Sequence, residues 1–253
     1  MYFVDAVLAF VELEARRIKY NMTEVITRAV QPILWLVVFG PIMARVRALP
    51  TGGIPYVAFI TPGVILQPIT FVSIFYGLTI VWERESGILK KLLTTPAPRI
   101  AIVLGRSSAS IIRAFMQLLI ITPIALLMGV RIVPNPLYII LAIIAMAITA
   151  IGFSAFSVWI ATFMKTRERF MGLGQAITMP LFFASNSIYP ISIMPPIFRE
   201  IALGNPLTYS VDALRKVLII GTTNGLITDI TALVIFMSIF TVLASIQIRR
   251  IIE

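Results

Sequence analysis

The sequence contains no cysteine and no histidine, and it has few charged residues. Of its 253 residues, only 13% are charged. Without cysteine no disulfide can form, and without histidine the commonest metal ligand and the usual acid or base at neutral pH are missing. A soluble domain carries about 25% charged residues. Because 59% of this chain is hydrophobic, we predict an integral membrane protein.

Hydrophobic runs long enough to cross a bilayer recur along the whole chain. A spanning helix needs roughly 20 mostly apolar residues. Six runs meet this requirement, at residues 26–44, 56–81, 107–129, 137–164, 171–189 and 226–248. We therefore predict an all-α bundle of six transmembrane helices that forms one transmembrane domain over residues 1–253.

The distribution of basic residues predicts the orientation of the bundle. Most of the 21 lysines and arginines fall in segments on the same side as the N-terminus, and such residues accumulate in cytoplasmic loops. Both termini are thus predicted to be cytoplasmic, in a chain of the plasma membrane. The net charge of +10 indicates contact with anionic membrane lipids. We expect no nucleic-acid partner, because no basic patch with interleaved aromatic residues stands apart from the spans.

Residues 1–24 have an amphipathic pattern. Apolar residues recur at helical spacing between Val4 and Ile18, while Glu12, Arg16 and Lys19 fall elsewhere on the helical wheel. This pattern is typical of a helix lying in the membrane interface. A soluble helix packed on the bundle is the alternative.

Residues 83–99 form a dense cluster of charge between apolar runs. Their spacing predicts an amphipathic helix that ends at the prolines Pro96 and Pro98. Gly87 would lie in the middle of this helix on its polar face, where glycine costs about 1 kcal/mol relative to alanine. A partner that approaches the backbone closely would explain it. The alternative is a solvated connector.

The segment that follows residue 185 is apolar but broken. It contains Asn186, Pro190, Pro195, Pro196, Gly204, Asn205 and Pro206. Unpaired backbone cannot face lipid, so broken structure at this depth must be buried in protein or line a wet cavity. We predict a re-entrant or interfacial helical hairpin over residues 191–225, on the outer side after the fifth span.

Three stretches resemble those of a known family, the ABC-2 type permeases, which are the membrane subunits of ATP-driven exporters. Residues 83–96, ERESGILKKLLTTP, are similar to the family pattern ER-x-x-G-x-x-x-x-L-x-x-x-P, and Arg106 follows downstream. Residues 205–215, NPLTYSVDALR, are similar to NP-x-x-Y-x-x-x-x-x-R before the last helix. Residues 56–63, YVAFITPG, resemble the entry to the second helix. The resemblance covers essentially the whole chain.

The resemblance implies a partner and a set of contact residues. In the family, the segment after the second span is a coupling helix that docks on a cytoplasmic ATPase. Two ATPase subunits and a second permease, here a homodimer, are implied, with ATP and Mg bound by the ATPase alone. The implied coupling residues are Glu83, Arg84, Glu85, Gly87, Lys90 and Lys91. The implied outer-loop motif consists of Asn205, Pro206, Tyr209 and Arg215.

Five polar residues within or near the spans are candidates for the substrate pathway. They are Gln67, Arg113, Gln117, Gln175 and Asn186. Hydrogen bonding between helices is the alternative role for the amides. Arg113 could instead extend its charge to the membrane interface.

The sequence therefore predicts the permease subunit of an ABC exporter for an amphiphilic or lipid-linked substrate, a class of exporter that includes multidrug exporters. The chain contains no G-x-x-x-x-G-K-[S/T] phosphate loop, so we expect a separate ATPase to supply the energy. We also expect no enzymatic activity and no cofactor or metal bound by this chain. An ion-coupled secondary transporter is the alternative, although no aspartate or glutamate lies in the middle of a span.

Overall fold

A computed structural model describes residue 12 and residues 22–46, 49–87, 99–164 and 166–247. Every regular element in these ranges is a helix, so the prediction of an all-α protein is confirmed for this part of the chain. Most of the predicted interfacial helix at residues 1–24 lies outside the described residues. The same is true of residues 88–98 of the predicted coupling helix, including Lys90 and Lys91.

The helices are labelled α1 to α9 in chain order. Helix α1 continues from Met22–Leu34 through a π-helical stretch, Trp35–Phe39, to Gly40–Val46. It is followed by α2 (Tyr56–Phe75), α3 (Gly77–Glu85), α4 (Arg99–Leu127), α5 (Pro136–Phe163) and α6 (Arg167–Phe183). A 3-10 turn, Ile191–Ile193, leads to α7 (Pro196–Gly204), α8 (Pro206–Leu214, extended by the π-helical Arg215–Ile220) and α9 (Leu226–Gln247).

Five helical stretches in the described ranges are long and apolar enough to cross a membrane. They are Ala29–Val46, Tyr56–Glu85, Ser110–Leu127, Pro136–Phe163 and Leu226–Gln247. They correspond to five of the six predicted spans, and they indicate a multi-pass membrane protein. The remaining predicted span, 171–189, coincides with α6, which has 17 residues and ends at Phe183. Residues 185–188 after it form a turn that is buried in the protein. A sixth span remains a prediction.

Side-chain caps fix where α5, α6 and α8 begin. The side chains of Asn135, Thr166 and Asn205 accept hydrogen bonds from backbone N–H groups in the first turns of these helices. Such caps satisfy donors that the first helical turn leaves unpaired. Pro136 and Pro206 occupy first helical positions, where a missing N–H costs nothing.

Helix α2 lies at the centre of the bundle. Nearly all of its residues are buried, and it packs against α1, α4, α5, α6 and α8. Its sequence is apolar on every side and has no amphipathic pattern, which is typical of a helix surrounded by protein. The main core forms around α2 and includes Ile65, Leu66, Ile121 and Phe153.

A second, smaller cluster of buried side chains lies where α3, α5, α6 and α9 meet. It includes Ile80, Val81, Val158, Phe170 and Ala244, and is here called the Phe170 cluster. The end of the bundle that holds it is called the α3 end. The opposite end, which carries α7, is called the α7 end. In the predicted orientation the α3 end is cytoplasmic.

The structure corrects the predicted position of Gly87. Helix α3 ends at Glu85, and Gly87 follows with a φ of 74°, so it does not lie within a helix. The Gly87 N–H donates to the Arg84 carbonyl at 3.2 Å, which is typical of a glycine that closes a helix in the left-handed conformation. The left-handed conformation at this position therefore explains why the residue is a glycine. A partner close to its backbone is not needed to explain it.

The segment after α6 folds into short helices at the α7 end. Ser185, Asn186, Ser187 and Ile188 form a buried turn. Helices α7 and α8 follow and meet at Asn205. Two short helices thus lie within the predicted hairpin region of 191–225. Whether they re-enter a membrane remains a prediction.

Candidate functional site

Asn205, the first residue of the predicted outer-loop motif, joins α8 to the end of α6. Its Oδ1 accepts the Leu207 N–H at 3.0 Å. Its Nδ2 donates to the carbonyls of Leu181 and Ala184, at 2.7 and 2.9 Å. One buried amide therefore caps one helix and satisfies unpaired carbonyls at the end of another.

Replacing Asn205 by alanine is expected to lower the free energy of unfolding by about 1–2 kcal/mol, because a cap and two further hydrogen bonds are lost. Thermal unfolding of the purified chain in detergent measures the change. Asn135→Ala is the matched control, since Asn135 accepts from Leu137 at an exposed position and the structure shows no second role for it. A loss at Asn205 no larger than at Asn135 would contradict the assigned contacts.

Arg215, the last residue of the motif, is buried and connects three segments. Its guanidinium donates to the Phe59 carbonyl through Nε at 3.3 Å and through Nη2 at 3.2 Å. Nη2 also donates to the Asn186 carbonyl at 2.7 Å, and Nη1 pairs with Asp212 at 3.1 Å. The guanidinium carbon lies 3.9 Å from the centroid of the Phe59 ring, a cation–π geometry. We call this arrangement the Arg215 clamp.

The Arg215 clamp keeps its charge at neutral pH. Burial lowers the pKa of Arg215 to about 10, and the neighbouring Asp212 carboxylate opposes this decrease. The clamp also includes Asn186, a predicted substrate-pathway residue, whose Nδ2 donates to Asp212. The structure therefore places Asn186 in a contact that holds the turn after α6.

Tyr209 completes the contacts of the motif. Its hydroxyl donates to the Leu203 carbonyl at 2.7 Å and so ties α8 to the end of α7. At the same end, the Tyr56 hydroxyl donates to the Ile188 carbonyl at 3.0 Å. The outer-loop motif thus fastens α2, the turn after α6, α7 and α8 to one another.

A cavity of about 140 Å³ lies among α1, α2, α6 and α8. Its volume is close to that of cavities that bind one benzene molecule. The lining side chains include Thr27, Gln31, Gln67, Thr70, Phe71, Thr178 and Phe182. Of the predicted substrate-pathway residues, Gln67 is the one that the structure places in this cavity.

Two polar side chains of the cavity are buried without a hydrogen-bond partner. Gln67 is 8% exposed and Thr70 is 2% exposed. Gln67 Oε1 and Thr70 Oγ1 have no partner within the described part of the chain. Because a buried polar atom without a partner costs free energy, the cavity offers two hydrogen-bonding groups to a molecule that enters it.

A shallow apolar groove lies along α1 beside the cavity. Gln31 lines both spaces, and the groove has a volume of about 400 Å³. Its other lining side chains are Leu34, Trp35, Val38, Phe39 and Ile42. The ring centroid of Trp35 lies 6.0 Å from that of Phe182, so aromatic rings stand where the groove and the cavity meet.

The remaining candidates of the predicted substrate pathway lie elsewhere. Gln117 is buried on α4, whereas Gln175 is exposed on α6, and the cavity includes neither. The side chain of Arg113 lies outside the described residues. The sequence prediction missed Thr27, Gln31, Thr70 and Thr178. Pairs of polar residues one helical turn apart within apolar helices, such as Thr27 and Gln31, are the signal that could have identified them.

The described coupling residues lie at the α3 end of the bundle. Arg84 donates to the Met164 carbonyl at 3.4 Å. Glu85 forms an ion pair with Arg167, with 2.5 Å between Oε2 and Nε. Glu83 lies on the last turn of α3, and Gly87 closes that helix. The structure therefore brings four of the six predicted coupling residues together at one end of one helix.

Comparison with known proteins adds independent findings. A family model described as "ABC-2 type transporter" matches residues 6–219. The ycf38 transport permease of Cyanophora paradoxa is 25% identical over 85% of this chain and 74% of its own length. The inner membrane transport permease YadH of Escherichia coli K12 is 23% identical over 86% of this chain and 84% of its own. Nodulation protein J of Sinorhizobium fredii is 24% identical over 73% of this chain and 70% of its own.

Proposed function

Because this chain belongs to the ABC-2 type transporter family, we propose that it is the permease subunit of an ATP-driven exporter. A separate ATPase would bind ATP and Mg and supply the energy. The chain itself would catalyse no reaction. Its substrate would be amphiphilic or lipid-linked, and would leave the cytoplasm across the plasma membrane.

The observation that carries this proposal is the pairing of the cavity with the α1 groove. Gln67 and Thr70 offer hydrogen bonds in the cavity. Trp35, Val38 and Ile42 offer apolar surface in the neighbouring groove. A molecule with a polar head and an apolar body would match both parts, whereas a small hydrated ion would gain nothing from the groove.

The proposal places the ATPase at the α3 end. Glu83, Arg84, Glu85 and Gly87, together with Lys90 and Lys91, would form the contact surface. Two ATPase subunits would dock on a homodimer of permeases. The exposed apolar residues of α1 outside the groove, which include Ile26, Val30 and Val37, would face lipid or the second permease.

The proposed topology has both termini in the cytoplasm. Helix α6 would be the fifth of six spans, and α7 and α8 would form the outer re-entrant hairpin after it. The Arg215 clamp would then close the bundle on its outer side.

Charge reversal tests the proposed coupling surface. We expect Glu83→Lys to lower the vanadate-sensitive ATPase turnover of the permease–ATPase complex at least fivefold, since a contact of opposite charge is lost. The assay uses the tagged chain purified together with its ATPase and reconstituted in liposomes. Translocation of a fluorescent nitrobenzoxadiazole-labelled phospholipid reports transport. Arg199→Glu, at an exposed position of α7, is the matched control and should leave turnover unchanged.

Two results would contradict the proposal. In the first, no ATPase purifies with the tagged chain. In the second, an ion gradient without nucleotide drives the labelled phospholipid across the membrane, which would favour the ion-coupled secondary transporter instead.

A further inference from the structure

We propose that Arg167 is a coupling residue, and that its ion pair with Glu85 transmits movement of α3 to α6, a helix that lines the cavity. The inference rests on the proposed function, because it needs an ATPase that acts on the α3 end. Arg167 would act as a positioning residue, since it lies at the α3 end and contacts neither the cavity nor a reacting group.

Two polar contacts join the end of α3 to the connection between α5 and α6. The Arg167 Nε lies 2.5 Å from Glu85 Oε2. The Arg84 guanidinium reaches the Met164 carbonyl at 3.4 Å. Met164 and Arg167 stand at the end of α5 and the start of α6, so neighbouring residues of α3 hold both sides of this connection.

The first turn of α6 is also fixed to the start of α3. Phe170 is 1% exposed and belongs to the Phe170 cluster with Ile80 and Val81. A Cβ placed on Gly77 would lie 2.7 Å from Phe170 Cζ, so ring and backbone are in close contact. Movement of α3 would therefore be passed to the first turn of α6 at both ends of α3.

The direct route along the chain, from α3 into α2, passes a local change in hydrogen bonding. The Ser157 hydroxyl donates to the Ile74 carbonyl and accepts the Gly77 N–H at 2.8 Å. A side chain inserted among the helical hydrogen bonds is a recognised cause of a kink. Bending at Tyr76 would absorb part of any movement that α3 passes to α2.

Helix α6 offers the unbroken route to the cavity. It is continuous from Arg167 to Phe183, and its residues Thr178 and Phe182 line the cavity. Thr178 lies about 16 Å along the helix from Arg167, at 1.5 Å per residue. The one proline within α6, Pro180, removes the helical hydrogen bond to the Ala176 carbonyl. Displacement of Arg167 would thus travel through regular helix as far as the turn that contains Thr178.

The ion pair contributes little to the stability of the fold. The side chains of Arg167 and Glu85 are 43% and 32% exposed, and exposed pairs contribute little to stability. Variants of the pair should therefore fold normally, so a changed response in the test below would not be caused by misfolding.

The test uses the absence of native cysteine. Thr178→Cys introduces one thiol at the cavity, and its alkylation by N-ethylmaleimide is timed in the intact permease–ATPase complex with and without ATP and vanadate. We expect ATP and vanadate to change the alkylation rate at least threefold in this parent. Glu85→Arg and Arg167→Glu should each reduce the response below 1.5-fold. The exchange variant Glu85→Arg/Arg167→Glu should restore at least half of it.

Controls separate the possible outcomes. Arg169→Glu reverses the same charge within the same turn of α6, at a position exposed to solvent, and should respond like the parent. Circular dichroism and co-purification of the ATPase confirm that each variant is folded and assembled. Single reversals that respond like the parent, or an exchange variant as unresponsive as the single reversals, would overturn the inference alone. No response in the parent itself would overturn the proposed function, and the inference with it.

Discussion

Arg215→Ala is expected to lower the free energy of unfolding by about 3–5 kcal/mol, because each buried carbonyl left without its hydrogen bond costs about 1–3 kcal/mol and the partly exposed Asp212 loses its ion pair. The variant leaves Asp212 without its cation. It also leaves the carbonyls of Phe59 and Asn186 without the hydrogen bonds that Arg215 donates. Thermal unfolding in detergent, followed by tryptophan fluorescence, measures the loss.

Two further variants define the control for the Arg215 clamp. Arg199→Ala removes an exposed arginine of α7 and should change stability by less than about 0.5 kcal/mol, as is usual for surface substitutions. Arg215→Lys keeps the charge but loses the planar fork that reaches several acceptors, so an intermediate loss is expected. If Arg215→Ala unfolded at the same temperature as Arg199→Ala, the clamp would have no stabilising role.

Gly77→Ala is expected to destabilise the protein by about 3 kcal/mol, at the upper end of the usual cost of overpacking. The added Cβ would lie 2.5 Å from both the carbonyl oxygen and the Oγ of Ser157, and 2.7 Å from Phe170 Cζ. The carbonyl belongs to the backbone of α5, so no change of rotamer can relieve the contact. Helix α3 would have to move away from α5 and α6. The same unfolding assay measures the cost.

Gly172→Ala is the matched control for Gly77→Ala. It changes the same residue type within a helix, and no described atom lies within 4 Å of its added Cβ. Because alanine favours helix over glycine, stability should rise by up to about 1 kcal/mol. Equal effects at the two glycines would show that helix propensity, and not the contact with Ser157 and Phe170, determines the result.

The spans were predictable because their signal lies within single segments. A run of roughly 20 apolar residues identifies a spanning helix without knowledge of its neighbours. The fourth span shows how closely this works: residues 137–164 were predicted, and α5 covers Pro136–Phe163. The fifth predicted span ran past the end of α6 at Phe183 because the chain turns there, and hydropathy does not report backbone conformation.

The end of α3 was misread for a different reason. Hydrophobic periodicity continues past Glu85, so the pattern predicted one helix from 83 to 99. Hydrophobic periodicity carries no information on backbone conformation. A glycine with positive φ can end a helix even where the hydrophobic pattern continues. From the sequence we explained Gly87 by a partner close to its backbone. The structure shows that its left-handed conformation explains the glycine.

The sequence identified several site residues without their partners. The motif marked Arg215, yet the carbonyl that accepts two of its hydrogen bonds belongs to Phe59, 156 positions away. The cavity likewise needs α1, α2, α6 and α8 together, so Gln67 alone could not reveal it. Asn186 was assigned to the substrate pathway on its polarity, whereas its contact with Asp212 depends on the fold of the turn after α6.

The small size of the Phe170 cluster has a consequence for how the protein fluctuates. Regions that bury few side chains open locally at lower free energy than the whole molecule unfolds. The Phe170 cluster holds α3 and the first turn of α6 with fewer buried residues than the main core around α2. Backbone amides of α3 should therefore exchange hydrogen with solvent sooner than those in the middle of α2. The end of the molecule that the proposed coupling would move would then open locally at lower free energy than the core around α2.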